Sequence, residues 1–249
     1  MASPQKMQAR PQQAPPSPRG TAKRMQRIYK EALELFVTRR LPASLEAINS
    51  LVLPPSLQSQ QQRQETTANG GIHGNGGLPM NAAAVSAAPV NLRVKIWNLY
   101  ITLLSAIVDL GTEEGSNEFG EDQWRAMASS VRNGRIWEYV VRAGYQGKEG
   151  NVDGDIVFNL ATLLLKHSNS QALNQQRLET YLASASQPSY ENGSNGANGT
   201  ETLRDLDTRI RILELFTLHV LPRNNDWGYA REFIKLSDIL DDEKKEQLH

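Results

Sequence analysis

The frame Leu-Glu-Leu-Phe, four residues, Leu-Pro occurs twice, as LELFVTRRLP from Leu33 to Pro42 and as LELFTLHVLP from Leu213 to Pro222, 180 residues apart. Each half of the frame restricts the backbone. A Leu and a Phe three positions apart share one face of a helix, while a residue before proline is pushed out of the helical region and proline itself suits the first turn of a new helix. Each copy therefore predicts a helix that Leu-Pro ends and that folds back on a partner, an antiparallel hairpin. Two origins of the likeness stay open, a repeated unit and independent use of the same helix-ending chemistry.

The flanking residues extend both hairpins. Met25, Ile28, Tyr29, Ala32 and Phe36 recur at three and four and predict a helix over 21–40, followed by one with Leu45, Ile48, Leu51 and Val52 on one side. The stretch YKEALELFVTRRLPASLEAINSLV also resembles a tetratricopeptide unit, with Ala32 and Ala47 where two helices need small residues to approach. The second hairpin has Leu203, Leu206, Ile210, Leu213, Phe216 and Val220 on its first arm and Tyr229, Phe233, Leu236 and Leu240 on its second. Thr202 and Asp205 have the spacing of a capping box at its start. Between the hairpins, apolar periodicity predicts helices over 91–111, 121–133, 134–144, 155–167 and 173–184, with glycines at their ends. No segment alternates apolar and polar residues. The expected fold is all-α, antiparallel helical hairpins in a tetratricopeptide-like bundle, with pairs too unequal in length for a regular array.

Composition divides the chain. Residues 1–20 are rich in Pro and Gln without periodicity and are expected to form a disordered arm ahead of a helical domain over 21–249. That domain is expected to carry flexible insertions at 54–90, which contains QSQQQRQ and GGIHGNGG, and at 185–201. Lys plus Arg and Asp plus Glu are 27 each, so no net field favours nucleic acid or an anionic membrane as the default partner. The charge is unevenly spread: residues 1–40 hold nine basic side chains against Glu31 and Glu34. Cysteine is absent, which removes disulfides, thiolate nucleophiles and cysteine-ligated metals. The N-terminal residues lack the apolar core of a secretory signal. IWNLYITLLSAIVDL, from Ile96 to Leu110, is shorter than the ~20 apolar residues of a membrane span and reads as a buried helix.

The chemistry-bearing residues assemble no known constellation. His73, His167, His219 and His249 have no metal-ligand spacing. Asn151, Asp153 and Asp155 alternate as calcium ligands do, but the sixth position is Ile156 where the loop needs Gly, and the twelfth is Thr162 in place of Glu. AGYQGKEG lacks the first glycine of a phosphate loop, where Arg142 stands, and has Glu149 where a hydroxyl should hold magnesium. Neither catalysis nor a cofactor is expected. Trp97, Trp124, Trp137 and Trp227 all fall in helical segments and read as packing residues. Turns and helix ends present side chains to partners, which makes Arg132, Arg135, Arg223, Asn224 and Trp227 the candidate partner contacts. Arg39 and Arg40 with Arg132 and Arg135 would alternatively let a tetratricopeptide-like scaffold or co-chaperone grip an acidic peptide tail.

Several blocks together resemble the fungal peroxin 26 family: RIYKEALELFVTRRLPASLEAINSLV, VKIWNLYITLLSAIVDLG, IWEYVVRAGYQGKEGNVDGDIVFNLATLLL, NQQRLETYLAS and RDLDTRIRILELFTLHVLPRNNDWGYAREFI. The resemblance implies the cytosolic domain of a receptor that recruits a heterohexameric AAA ATPase in peroxisome biogenesis, for recycling of matrix-protein import receptors. It implies a role without catalysis. Members of that family end in a tail anchor at the cytosolic face of the peroxisomal membrane, whereas this sequence stops at DDEKKEQLH. The chain as given is thus expected to be cytoplasmic and to bind protein rather than nucleic acid.

Overall fold

The computed structural model describes residues 18–53, 82–185, 199–237 and 240–248. All its elements are helical, as the periodicity predicts. Of the expected flexible tracts, residues 1–17, 54–81 and 186–198 lie outside the described residues.

The first hairpin follows its sequence. Helix α1 (Pro18–Val37) stops where Arg39 adopts a left-handed φ of 62°, the Arg40 N–H donates to the Leu35 carbonyl at 2.9 Å and the Arg39 N–H to the Phe36 carbonyl at 3.0 Å. These two bonds form a Schellman motif. Helix α2 (Leu41–Val52) starts at once, with proline in its first turn. The expected small-residue contact is made by Ala32, whose carbonyl accepts a 2.8 Å bond from the buried Ser44 hydroxyl.

In the second copy Leu-Pro does not end the helix, which corrects the reading of that frame. Helix α10 (Gly199–Leu215) widens into a π turn over Phe216–Val220 and continues through Leu221–Arg223. It already runs at Thr202, so the capping-box residue lies inside it. Its end carries the same Schellman pair six residues further along the frame: the Asp226 N–H donates to Leu221 at 3.0 Å, the Asn225 N–H to Pro222 at 3.1 Å, and Asn225 has φ 62°. Burial explains the difference. Thr217 is 1% exposed and Val220 is buried, whereas their counterparts are Val37, 71% exposed, and the charged Arg40. The second helix gains core contacts by one more turn, and the wider π turn accommodates a proline that has no N–H to donate. Helix α11 (Trp227–Leu236) then completes the hairpin, and α12 (Asp242–Leu248) follows.

The core is built around α4 (Val90–Asp109), which buries residues on all its faces, among them Ile96, Trp97, Leu103, Leu104 and Ile107. It packs against α1, α2, α5 (Gly111–Phe119), α6 (Glu121–Arg132) and α8 (Gly154–His167). Helix α7 (Arg135–Tyr145) comes within van der Waals distance of α4 at Gly144, where a Cβ would lie 2.6 Å from Trp97 Nε1. No single described helix is long and apolar enough to cross a membrane.

Two assignments change. The tract read as flexible over 54–90 is ordered at its end, where α3 (Ala82–Ser86) places Val85 in the core beside α2, α4 and α7. On the last hairpin, Leu206 and Leu236 were expected on the core side, but Leu206 is exposed and Leu236 is 72% exposed, while Ala230 and Ile234 are the buried residues of α11.

Between α7 and α8 the chain is held by two polar clasps. Arg93 Nε and Nη2 donate to Asp153 at 3.1 and 3.3 Å, and the Tyr145 hydroxyl donates to the same carboxylate at 2.8 Å. Glu149, in a single 3-10 turn (Glu149–Asn151), accepts from Trp137 Nε1 at 2.9 Å and from Arg177 Nη1 at 3.1 Å. The second clasp ties this turn to α9 (Ala172–Ala185).

Candidate functional site

Three connections meet at one end of the bundle. The α6–α7 turn has Gly134 at φ 71°, a left-handed conformation that glycine adopts without strain, and a Cβ there would lie 2.3 Å from Leu173 Cδ2 and 3.8 Å from Leu164 Cδ2. That contact sets the turn against the α8–α9 corner. The corner is itself fixed by buried amides: Gln171 Nε2 donates to the Leu164 carbonyl at 3.1 Å, and Asn174 Nδ2 donates to the Ala161 carbonyl at 3.0 Å and to Gln171 Oε1 at 2.9 Å. The α10–α11 turn reaches the same corner through Arg223, whose Nη1 donates to the Leu165 carbonyl at 2.5 Å. That carbonyl belongs to the last turn of α8, where a cation complements the helix dipole.

The five candidate contacts divide by environment. Arg132 and Arg135 are exposed on either side of Asn133-Gly134, with the Arg132 guanidinium 5.9 Å from the Trp124 ring. Trp227 is 59% exposed at the start of α11, the exception to the expectation that all four tryptophans pack. Trp97, Trp124 and Trp137 are buried. Asn224 is half-buried and donates to Gln175 Oε1 at 2.6 Å, while Gln175 Nε2 bonds Asp226 at 3.3 Å. Arg223 and Asn224 thus fasten the turn to α8 and α9, and Trp227 is the side chain the fastened turn projects. Tyr229 lies one turn from the fastening. Burial raises its pKa first, followed by the nearby Glu179 carboxylate, to which it is hydrogen-bonded.

A cluster the sequence did not suggest lies at the same end. Ser105 Oγ is 3.0 Å from His167 Nε2, Asp109 Oδ1 is 4.0 Å from the same nitrogen, and Lys166 Nζ is 2.5 Å from Asp109 Oδ2. Serine and carboxylate approach one ring nitrogen, so the imidazole cannot take a proton from the hydroxyl while the carboxylate holds the other nitrogen, as a catalytic triad requires. Desolvation lowers the His167 pKa, with Asp109 opposing and Lys166 and Arg132 adding to the shift. Ser105 and Asp109 are one helical turn apart on α4, but 58 residues separate Asp109 from His167 in the chain, and only packing joins them.

A cavity of about 170 Å³ is lined by Phe158, Arg211, Glu214, Leu215 and His219. Its charged groups are engaged: the Arg211 guanidinium stacks 4.3 Å from the Phe158 centroid, and Lys244 Nζ lies 3.5 Å from Glu214. The alternating Asn151, Asp153 and Asp155 do not converge as a calcium loop, since Asp153 is held by Arg93 and Tyr145. Among the described residues no group of three or more His, Asp or Glu side chains is placed to hold a metal ion. Comparison of the chain with protein-family models, with curated proteins and with solved structures gave no match.

Proposed function

We propose that the chain is a non-enzymatic helical adaptor that recruits the AAA ATPase complex of peroxisome biogenesis, so that matrix-protein import receptors are recycled. The resemblance to the fungal peroxin 26 family supplies the partner, and the observation that carries the binding role is Trp227. A large aromatic side chain, 59% exposed, stands on a turn whose neighbours Arg223 and Asn224 are bonded to two other helices. Tryptophan and arginine on a rigid support are the residue types that dominate binding energy at protein interfaces. Arg132 and Arg135 add positive charge at the same end of the bundle.

The test is capture of the purified two-subunit peroxisomal ATPase by the immobilised chain. Trp227→Ala is expected to weaken capture about 30-fold, the effect of losing an anchor worth about 2 kcal/mol. Reversing Arg132 and Arg135 to Glu is expected to slow association more at low than at high salt. The helical circular-dichroism spectrum should not change in either variant. Failure of the chain to retain either ATPase subunit would overturn the reading and leave the tetratricopeptide-like scaffold for acidic tails.

A further inference from the structure

We infer that the outer face of α1 is a docking surface for an anionic lipid bilayer. From Pro18 to Lys30 the helix carries Arg19, Lys23, Arg24, Arg27 and Lys30 with no acidic residue among them, in a chain whose total charge is zero. Met25, Ala32 and the half-buried Ile28, Tyr29 and Phe36 face α2 and α4. The opposite arc places Arg19, Lys23, Arg27 and Lys30 at successive turns, all exposed. Among the described residues none of these cations forms an ion pair. The last turns of the same face carry the exposed Glu31 and Glu34 together with two exposed apolar side chains, Leu33 and Val37.

The shape and chemistry of this arc favour a membrane over the other anionic partners. A single helix about 30 Å long on the outside of a bundle is convex, which suits a flat surface better than the convex face of another protein. Its cations sit on long flexible stems that can follow anions free to move sideways, as lipid headgroups are. Arginine and lysine also bind nucleic-acid phosphates and guanine edges, and the oligonucleotide arm of the experiment separates that partner from a bilayer. Leu33 and Val37 have no use against phosphates alone, but next to a bilayer they can enter the headgroup boundary. This surface is separate from the one proposed for the ATPase: α1 packs on α2 and α4, whereas the α10–α11 turn is fastened to α8 and α9.

The experiment is co-sedimentation of the full chain with phosphatidylcholine vesicles, with and without phosphatidylserine, at ~0.15 M salt. Binding is expected only with phosphatidylserine. Each cation near such a surface contributes about fivefold in affinity, so Lys23→Gln, Arg27→Gln and Lys30→Gln together are expected to weaken it roughly 100-fold. Val37→Ser should weaken binding at every salt concentration, and Arg231→Gln with Lys235→Gln on α11 should leave it unchanged. The substituted α1 side chains are exposed, so an unaltered melting curve separates lost binding from lost folding. Equal sedimentation with both vesicle types, or none with either, overturns the inference. So does a triple variant that binds as the parent does. Tighter binding to polyglutamate or to a duplex oligonucleotide than to phosphatidylserine vesicles of equal charge also overturns it and assigns the face to protein or nucleic acid.

Discussion

Replacing Asp153 with Ala removes the acceptor shared by Arg93 and Tyr145, and the structure sets the expected cost. The carboxylate accepts three hydrogen bonds, from Arg93 Nε at 3.1 Å, Arg93 Nη2 at 3.3 Å and the Tyr145 hydroxyl at 2.8 Å. The pair is mostly buried, with side-chain exposures of 17% and 21%. Removing one partner of a buried ion pair costs about 3–5 kcal/mol because the other is left uncompensated. Water reaching the exposed fifth of this pair lowers that, and the guanidinium keeps its stack on the Tyr145 ring at 5.1 Å and a 3.4 Å bond to the Ser86 carbonyl. About 3 kcal/mol is expected. Loss of a helix cap does not contribute: Asp153 precedes α8 but makes no side-chain cap bond. Urea unfolding followed by circular dichroism should show the midpoint falling by roughly 1–2 M. A double-mutant cycle with Arg93→Ala should show coupling of about 1.5 kcal/mol or more, because the second change removes the charge stranded by the first. A change in stability within ~0.5 kcal/mol for Asp153→Ala, the usual scale of surface substitutions, or a coupling near zero, would show that the clasp does not hold α3, α4, α7 and α8 together.

Three other perturbations test separate parts of the structure. Gly134→Ala puts a Cβ at φ 71° and 2.3 Å from Leu173 Cδ2, and should destabilise by roughly 2 kcal/mol in thermal melts, part from backbone strain and part from moving the leucine. Because burial holds the His167 pKa below its ordinary value of 6.5, the contribution of the neutral ring is full above that pH and is lost as pH falls through the folded-state pKa. Stability measured from pH 7 to 5 should therefore decline more steeply in the parent than in His167→Gln. Burial pushes the Tyr139 pKa up from 10.0 to about 12, and raises those of Tyr100 and Tyr145 as well. The unfolded chain ionises first, so stability should hold below pH 10 and fall as pH rises toward 12, and Tyr100→Phe should reduce that fall when unfolding is followed spectroscopically.

The helical class, most helix boundaries, the inner faces of α1 and α2 and the burial of α4 are readable from the sequence. They depend on local terms, the three-and-four spacing of apolar residues and the stopping power of Gly and Pro, which act over one or two turns. The two Leu-Pro frames show where local terms run out. Both spell a helix end, and Arg39 executes it, but at Phe216–Val220 the core rewards another turn and the helix widens instead of stopping. Tertiary packing decided the inner face of α11 in the same way: Tyr229 and Phe233 set their rings against Phe216 of the π turn, as their spacing predicts, while Leu236 stays exposed and Ala230 and Ile234 are buried in its place. Of the candidate site, the turns were legible because turn residues are local, but the division of labour within them was not. Asn224 points to Gln175 and Trp227 to solvent because α9 lies beside the turn, and that neighbour is distant in sequence. The His167 cluster and the Asp153 clasp were hidden for the same reason, since a hydrogen bond joining residues about 60 positions apart has no periodicity to betray it and exists only once the helices have packed.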